Sequence, residues 1–243
     1  MTADIAHKAI ATLDEYFELT AYPPGTAVES AKPLFGLRFA VFCKECGFLP
    51  EADYPEELES DKYDPKAAQF AARNAEGRVV GTSRLVMPSP ETSFPFLTHC
   101  KTYEDYELPS FAECAEVSRL AVDRSYRRRA GDTLSGVNPA ELEGARLPGR
   151  QGPDKRVNAP LLVLGLYREM YRYSRANGIR YWFAAMERSL AKVLSLYGFA
   201  FEAIGPEQDY YGPVRPYVGD LRSLERFLRG YNANLLTWFQ GQS

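Results

Sequence analysis

The sequence contains few of the residues on which metal centres and nucleophilic enzymes depend. It has two histidines, His7 and His99, and four cysteines, of which only Cys43 and Cys46 have C-x-x-C spacing. A structural zinc site needs four convergent ligands, and Cys–His or Ser–His catalysis needs a histidine beside the nucleophile. The composition therefore predicts no metal site, and it favours reduced, mostly buried thiols in a protein of the cytosol.

Long apolar runs and an excess of basic charge are also missing. No stretch approaches the roughly 18 apolar residues that span a bilayer, and residues 1–19 lack the basic-then-apolar order of a signal peptide. The formal net charge is -3, which gives no general reason to expect a nucleic-acid partner. We therefore expect a cytoplasmic protein without stable membrane insertion, in which any basic binding site is a local cluster.

Hydrophobic periodicity and turn residues predict one α/β (α+β) domain over residues 1–243, with a central mixed, twisted sheet flanked by helices. The predicted helices cover residues 3–20, 31–46, 161–177, 188–197 and 221–229. The predicted strands cover residues 67–74, 78–88, 114–122, 180–186, 199–204 and 214–218, and residues 75–77 join the first two as a hairpin. The polar, glycine-containing stretch 123–158 predicts a long flexible insertion after the third strand.

Three short segments place charged side chains in or beside the expected sheet. Residues 59–64 form an acidic cluster before the first strand, Arg84 lies inside an apolar strand, and Glu116 and Arg119 interrupt another. A buried, unpaired charge costs several kcal/mol, so these groups need partners. Taken singly, the acidic cluster is also typical of a solvated loop, and the buried charges are typical of structural ion pairs.

The order of these groups resembles the signature of acyl-homoserine-lactone synthases, a branch of the GNAT acyltransferase superfamily. The signature runs Arg-x-x-x-Phe, Asp-x-x-Asp, an arginine in a Gly-x-x-Arg-Leu strand, and Glu-x-x-Arg. The matching residues are Arg38, Phe42, Asp61, Asp64, Arg84, Glu116 and Arg119. The C-terminal half, with its Tyr-Gly-Phe, Tyr-Tyr-Gly and Arg-Pro-Tyr motifs, resembles acyltransferases associated with PEP-CTERM/exosortase systems, and N-acyl amino acid synthases are close relatives.

The resemblance implies the GNAT fold and an N-acyltransferase that moves a long acyl chain to the amine of a small molecule such as an amino acid. The implied donor is an acyl-phosphopantetheine thioester on acyl carrier protein or coenzyme A, and acyl carrier protein is the expected partner. The implied catalytic residues are Glu116, Ser118 and Arg119. The implied substrate-binding residues are Arg38, Phe42, Phe48, Asp61, Asp64 and Arg84. The implied donor-binding residues are Leu120, Val122, Arg127, Arg128, Arg129 and Gly131.

Acyl transfer to an amine needs a base, and Glu116 is the candidate. Burial would raise the pKa of Glu116, whereas Arg84 or Arg119 nearby would lower it. Residues three apart on a regular strand face opposite sides, so Glu116 and Arg119 share one site only if a β-bulge lies near Val117 and Ser118. A backbone N–H freed by that bulge would face the thioester carbonyl.

Several alternatives stay open at this point. Phe48 stands where homoserine-lactone synthases have a tryptophan, and Leu194 stands where many GNAT enzymes have an acidic tyrosine. A synthase that uses S-adenosylmethionine is one alternative, and a non-catalytic module that binds or senses acyl carriers is another. The arginines at 127–129 could bind a pyrophosphate, dock an acidic carrier protein or form a solvated basic turn. Nucleic-acid binding is disfavoured because no basic stripe with interleaved aromatics accompanies them.

Overall fold

The computed structural model describes residues 16–90, 93–126 and 159–241, and a central mixed sheet organises them. The strands are β1 (Glu18–Tyr22), β2 (Ala67–Arg73), β3 (Val79–Val86), β4 (Cys114–Val122), β5 (Tyr181–Met186), β6 (Phe201–Ala203), β7 (Gln208–Asp209) and β8 (Pro213–Asp220). Their order is β1-β2-β3-β4-β5-β8-β6, and β7 pairs with β8 at the side. The β4–β5 pair is parallel, and the other pairs in the described residues are antiparallel.

Helices cover both faces of this sheet. They are α1 (Val28–Phe39), which continues as a π-helical segment (Ala40–Glu45), α2 (Pro95–His99), α3 (Ala159–Ala176), α4 (Arg188–Leu196), α5 (Leu221–Tyr231) and α6 (Ala233–Gln240). Neighbouring residues of one strand point to opposite faces. Accordingly Ala121 packs in the core under α1, whereas Val122 packs in the core under α3.

The sequence predicted most of these elements, and the mixed α/β architecture with flanking helices is confirmed. The predicted helix over residues 3–20 is wrong at its C-terminal end, because residues 18–22 form β1 and pair with β2. Edge pairing supplies backbone hydrogen bonds that a local helical pattern does not reveal. The predicted β-α-β unit is also modified, because β8 lies between β5 and β6. Helix α6 was not predicted.

The third predicted strand coincides with β4, and its relation to β5 creates the opening on which the site depends. The two strands pair only from Cys114 with Tyr181 to Glu116 with Phe183. Beyond Glu116, β4 continues to Val122 along β3, while β5 ends at Met186 and leads into α4. The sheet therefore opens immediately after Glu116.

The described residues contain no helix long and apolar enough to cross a membrane. In the same residues, no group of three or more His, Cys, Asp or Glu side chains is arranged to hold a metal ion. All four cysteines are described and carry free thiols, and those of Cys43, Cys100 and Cys114 are buried. The predicted insertion begins with a short 3-10 helix, Arg124–Tyr126, and its residues 127–158 lie outside the described part of the chain.

Candidate active site

A β-bulge in β4 brings Glu116 and Arg119 to one cavity. Arg84 of β3 lies opposite Ser118, and Thr82 lies opposite Ala121, so the one intervening residue of β3 faces two residues of β4, Arg119 and Leu120. Arg119 has a φ of 52°, a left-handed conformation that costs a non-glycine residue about 1 kcal/mol or more. The predicted bulge is confirmed, but it lies at residues 119–120 rather than 117–118. The ion pairs of Arg119 described below hold this unfavourable backbone in place.

The cavity has a volume of about 170 Å³ and occupies the opening between β4 and β5. Residues of β4 line one wall, and Ala184, Ala185 and Met186 of β5 line the other. Six of the predicted site residues line it: Phe42, Phe48, Glu116, Ser118, Arg119 and Leu120. Most of the remaining lining is apolar or aromatic, as a site for an acyl chain requires.

Next to this cavity, six charged side chains alternate in a closed ring that includes Arg119 of the cavity wall. In order around this charge ring they are Arg38, Glu59, Arg119, Asp61, Arg84 and Asp64. Its three cations and three anions balance formally. The side chains of Arg38, Glu59 and Arg84 are completely buried, a placement that only such compensation makes affordable.

Each carboxylate of the charge ring bridges two arginines. Glu59 accepts from the Nε of Arg38, and its Oε1 lies 3.1 Å from the Nε of Arg119. Asp61 lies 3.1 Å from the Nη2 of Arg119 and 2.6 Å from the Nη1 of Arg84. The ring closes through Asp64.

Asp64 is the most heavily bonded carboxylate of the charge ring. Its Oδ1 lies 2.9 Å from the Nη1 of Arg84 and 2.7 Å from the Nη1 of Arg38, and Arg38 also donates to Oδ2 at 3.1 Å. The Nε2 of Gln69 and the backbone N–H of Asp61 also donate to Asp64, at 2.8 and 2.7 Å. Burial alone would raise the pKa of Asp64, but Arg38 and Arg84 hold it well below its usual range. Asp64 therefore stays ionised at every pH at which the protein is folded.

Glu116 has the opposite environment. Its side chain is buried, and its Oε2 accepts the backbone N–H of Phe96, in the first turn of α2, at 2.9 Å. Burial raises the pKa of Glu116 to about 8, against the smaller effects of the Phe96 hydrogen bond and of Arg84 and Arg119. The sequence left this competition open, and burial prevails. A carboxyl group whose pKa lies close to working pH suits a general base.

Ser118 links the charge ring to the cavity. Its Oγ accepts a hydrogen bond from the Nε of Arg84 at 3.1 Å, and the residue lines the cavity. The ring residues Arg38, Asp61, Asp64 and Arg84 are absent from the cavity lining. The structure thus brings these predicted substrate-binding residues together one layer behind the cavity, where their observed contacts are with each other.

Other predicted positions fall away from the cavity or outside the described residues. Val122 is completely buried in the core under α3 and does not line the cavity. Leu194 and Tyr197 pack in or against the same core. The predicted donor-binding residues Arg127, Arg128, Arg129 and Gly131 lie outside the described part of the chain.

Two tyrosines in the turn between β7 and β8 line the cavity, although the sequence suggested no role for them. The Tyr210 ring stacks on His99, with centroids 4.3 Å apart and planes 9° apart. The Tyr211 ring stacks on Phe48 at 5.9 Å. Glu59 was likewise missed as a site residue, because its place in an acidic loop gives no sign of its two arginine partners. For the tyrosines, the only available signal was the Tyr-Tyr-Gly turn.

Residues 37–136 match the family model of the acetyltransferase (GNAT) domain, and the described sheet and helices have the GNAT fold. This matched stretch contains every residue of the charge ring and also Glu116.

Solved structures of acyl-homoserine-lactone synthases are similar in fold. TofI, in a ternary complex with an inhibitor and MTA, is 18% identical, with a TM-score of 0.60 over 86% of this chain and 96% of that chain. BjaI, a CoA-dependent acyl-homoserine lactone synthase with SAM and isopentyl-CoA, is 18% identical, with a TM-score of 0.58 over 88% and 89%. The AHL synthase LasI is 18% identical, with a TM-score of 0.56 over 84% and 91%. A comparison with curated proteins gives no match.

Proposed function

We propose that this protein is an N-acyltransferase that moves an acyl group from a phosphopantetheine thioester to the amine of a small molecule such as an amino acid. The observation that carries the proposal is the opening between β4 and β5, which has a buried glutamate at its inner end and a β-bulge along one wall. A thioester lying in this opening has its carbonyl beside the backbone of the bulge and its acyl chain against an apolar wall.

The three demands of the reaction have separate candidates in this geometry. Glu116 accepts a proton from the amine, directly or through a water. The amine nitrogen then bonds to the carbonyl carbon, and backbone N–H groups of the bulge at residues 119–120 stabilise the oxygen as it gains charge. Finally the carbon–sulfur bond breaks, the sulfur takes up a proton, and the products are an amide and a free thiol.

The charge ring contributes position rather than chemistry in this proposal. Its members stay ionised and saturated by one another, and Arg119 belongs both to the ring and to the cavity wall. The ring therefore fixes the backbone at the bulge from behind. Such positioning by buried neighbours is what a preorganised catalytic site needs.

The finer parts of the proposal concern the donor and its carrier. The apolar cavity wall supports a long acyl chain, and acyl carrier protein or coenzyme A is the carrier that we propose. The resemblance of the C-terminal motifs supports an association with PEP-CTERM/exosortase systems. The BjaI structure holds isopentyl-CoA, which favours including acyl-CoA among the donors to be tested.

The test is to incubate the purified protein with acyl carrier protein and coenzyme A thioesters of several chain lengths and a panel of amines. Thiol release and mass detection of the amide are the two readouts. An acyl amino acid formed only in the presence of protein supports the proposal. Donor binding without turnover for any amine contradicts it and favours the non-catalytic carrier-binding module.

A second candidate is an acyl-homoserine-lactone synthase that uses S-adenosylmethionine. The fold likeness to TofI, BjaI and LasI over most of each chain favours it. Phe48 lines the cavity and stacks on Tyr211, where the resemblance places a tryptophan in those synthases. Including S-adenosylmethionine in the amine panel separates the two candidates, because this one produces an acyl lactone.

A further inference from the structure

The part of the cavity next to Tyr210 has the chemistry of a carboxylate subsite. Tyr210 lines the cavity, and the Arg119 guanidinium is a hydrogen-bond partner of its hydroxyl. A guanidinium carries only donors, so the phenol oxygen must accept in this pair. The O–H proton of Tyr210 is consequently left to donate to another group.

The position of this hydroxyl is fixed from two sides. The ring stacks almost parallel on His99, and the turn that carries it is closed by a hydrogen bond from the backbone N–H of Tyr210 to the carbonyl of Gly212 at 3.0 Å. A donor held in this way loses little conformational freedom when it binds a ligand. This makes Tyr210 a selective contact rather than an adaptable one.

The charges around Tyr210 favour an anion. Arg119 lies beside its hydroxyl, and the pKa of His99 is lowered first by burial and then by the cations Arg119 and Lys62. The nearby Glu116 is largely protonated at neutral pH because burial raises its pKa to about 8. The acids of the charge ring are each bonded to two arginines. An incoming carboxylate therefore meets positive charge and a phenol donor, with little opposing negative charge.

We propose that Tyr210, supported by Arg119, binds the carboxylate of the acceptor and so restricts the enzyme to α-amino acids and related amino carboxylates. This inference rests on the proposed function and adds to it the class of acceptor and the residue that selects that class. The amine of such an acceptor is one carbon from its carboxylate, which is short enough for Glu116 and Tyr210 to contact the two groups of one molecule, since both residues line the same cavity.

The test compares matched acceptors in wild-type protein and in Tyr210→Phe. The pairs are phenylalanine with phenethylamine, tyrosine with tyramine, and leucine with isoamylamine, and the readout is thiol release from an acyl thioester. The variant keeps the ring that stacks on His99 and removes only the hydroxyl. Because a hydrogen bond to a charged group is lost, we expect kcat/KM for the amino acids to fall about 10- to 100-fold, mainly through KM.

The decarboxylated amines should change by about twofold or less, and wild-type protein should prefer the amino acid of each pair. Taking the ratio between variant and wild type for each acceptor cancels differences in amine basicity. Tyr103→Phe is the matched control, because Tyr103 is an exposed tyrosine outside the cavity lining. Circular dichroism and thermal midpoints confirm that both variants fold.

An equal loss for both members of each pair in Tyr210→Phe would overturn the carboxylate subsite and leave the acyltransferase proposal standing. Equal use of both members by wild-type protein would do the same. No turnover with any acceptor would overturn the proposed function itself, and the inference with it. The three outcomes are therefore distinguishable in one set of measurements.

Discussion

Asp64 and Glu116 are both largely buried carboxylic acids in the same small region, but their pKa values shift in opposite directions. Asp64 accepts hydrogen bonds from Arg38, Arg84, Gln69 and a backbone N–H, and its pKa is lowered. Glu116 accepts a single backbone N–H, and burial raises its pKa to about 8. The number of donors that meet each group, rather than burial itself, decides which carboxylate stays charged and which can exchange a proton.

The largest expected effect comes from removing the exchangeable proton site. In Glu116→Gln, turnover should fall about 10²- to 10⁴-fold, as expected for loss of a general base, while binding of the acyl thioester changes little because the side chain keeps its size. Steady-state thiol release and a donor-binding titration measure the two quantities. Glu104→Gln, in an exposed loop, is the control, and equal activities of the two variants would remove Glu116 from the role.

The same comparison predicts how wild-type activity depends on pH. The base is the ionised form of Glu116, so kcat/KM should fall as pH drops below about 8, by about tenfold per unit at lower pH. A profile measured with an acceptor whose own amine titrates elsewhere isolates this effect. Glu116→Gln should lose this dependence in its residual rate, and an unchanged profile in that variant would assign the titration to another group.

The second effect concerns the charge ring and is expected in stability. Asp64→Asn leaves the guanidiniums of Arg38 and Arg84 buried with too little negative charge, which should cost about 3–5 kcal/mol of unfolding free energy. Denaturant titration measures this loss. Glu57→Gln removes an exposed ion pair with Lys44 and should cost about 1 kcal/mol or less. Similar losses in the two variants would contradict the structural role of the ring.

The smallest effect links the two carboxylates through pH. Because the folded pKa of Glu116 is raised above its unfolded value, the folded state holds a proton that the unfolded state releases, and stability is lost as pH rises from about 4.5 to about 8. Glu116→Gln carries no such proton. Its stability relative to wild type should therefore increase by about 2 kcal/mol between pH 6 and pH 8, as measured by denaturant titration at both values. A constant difference would show that the pKa of Glu116 is not raised.

The sequence predicted the strand that carries the chemistry better than it predicted the surroundings of that strand. The bounds of β4 and the need for a bulge followed from Glu116 and Arg119 alone, because alternation along a strand is a local rule. The exact place of the bulge depends on which carboxylates meet Arg119, and those come from about 60 residues earlier in the chain. No local pattern contains that information.

The same limit explains the errors elsewhere. Residues 18–22 form an edge strand because β2 is available to pair with them, although their neighbours suggested a helix. Tyr210 and Tyr211 gain a role because the turn between β7 and β8 reaches Phe48 and His99. These contacts join distant segments, so spacing within a segment could not predict them. The sequence did supply both arginine pairs and Asp61 and Asp64, whose spacing is itself local.

The division of the site between the two halves of the chain has a consequence for how such a protein can diversify. Every member of the charge ring lies between Arg38 and Arg119, whereas β5 and the Tyr210–Tyr211 turn complete the cavity from later in the chain. Substitutions in the later half can reshape the space for acyl chain and acceptor without touching an ion pair of the ring. Inherited variation should therefore accumulate in that wall, so that new substrates are acquired while the charged scaffold is retained.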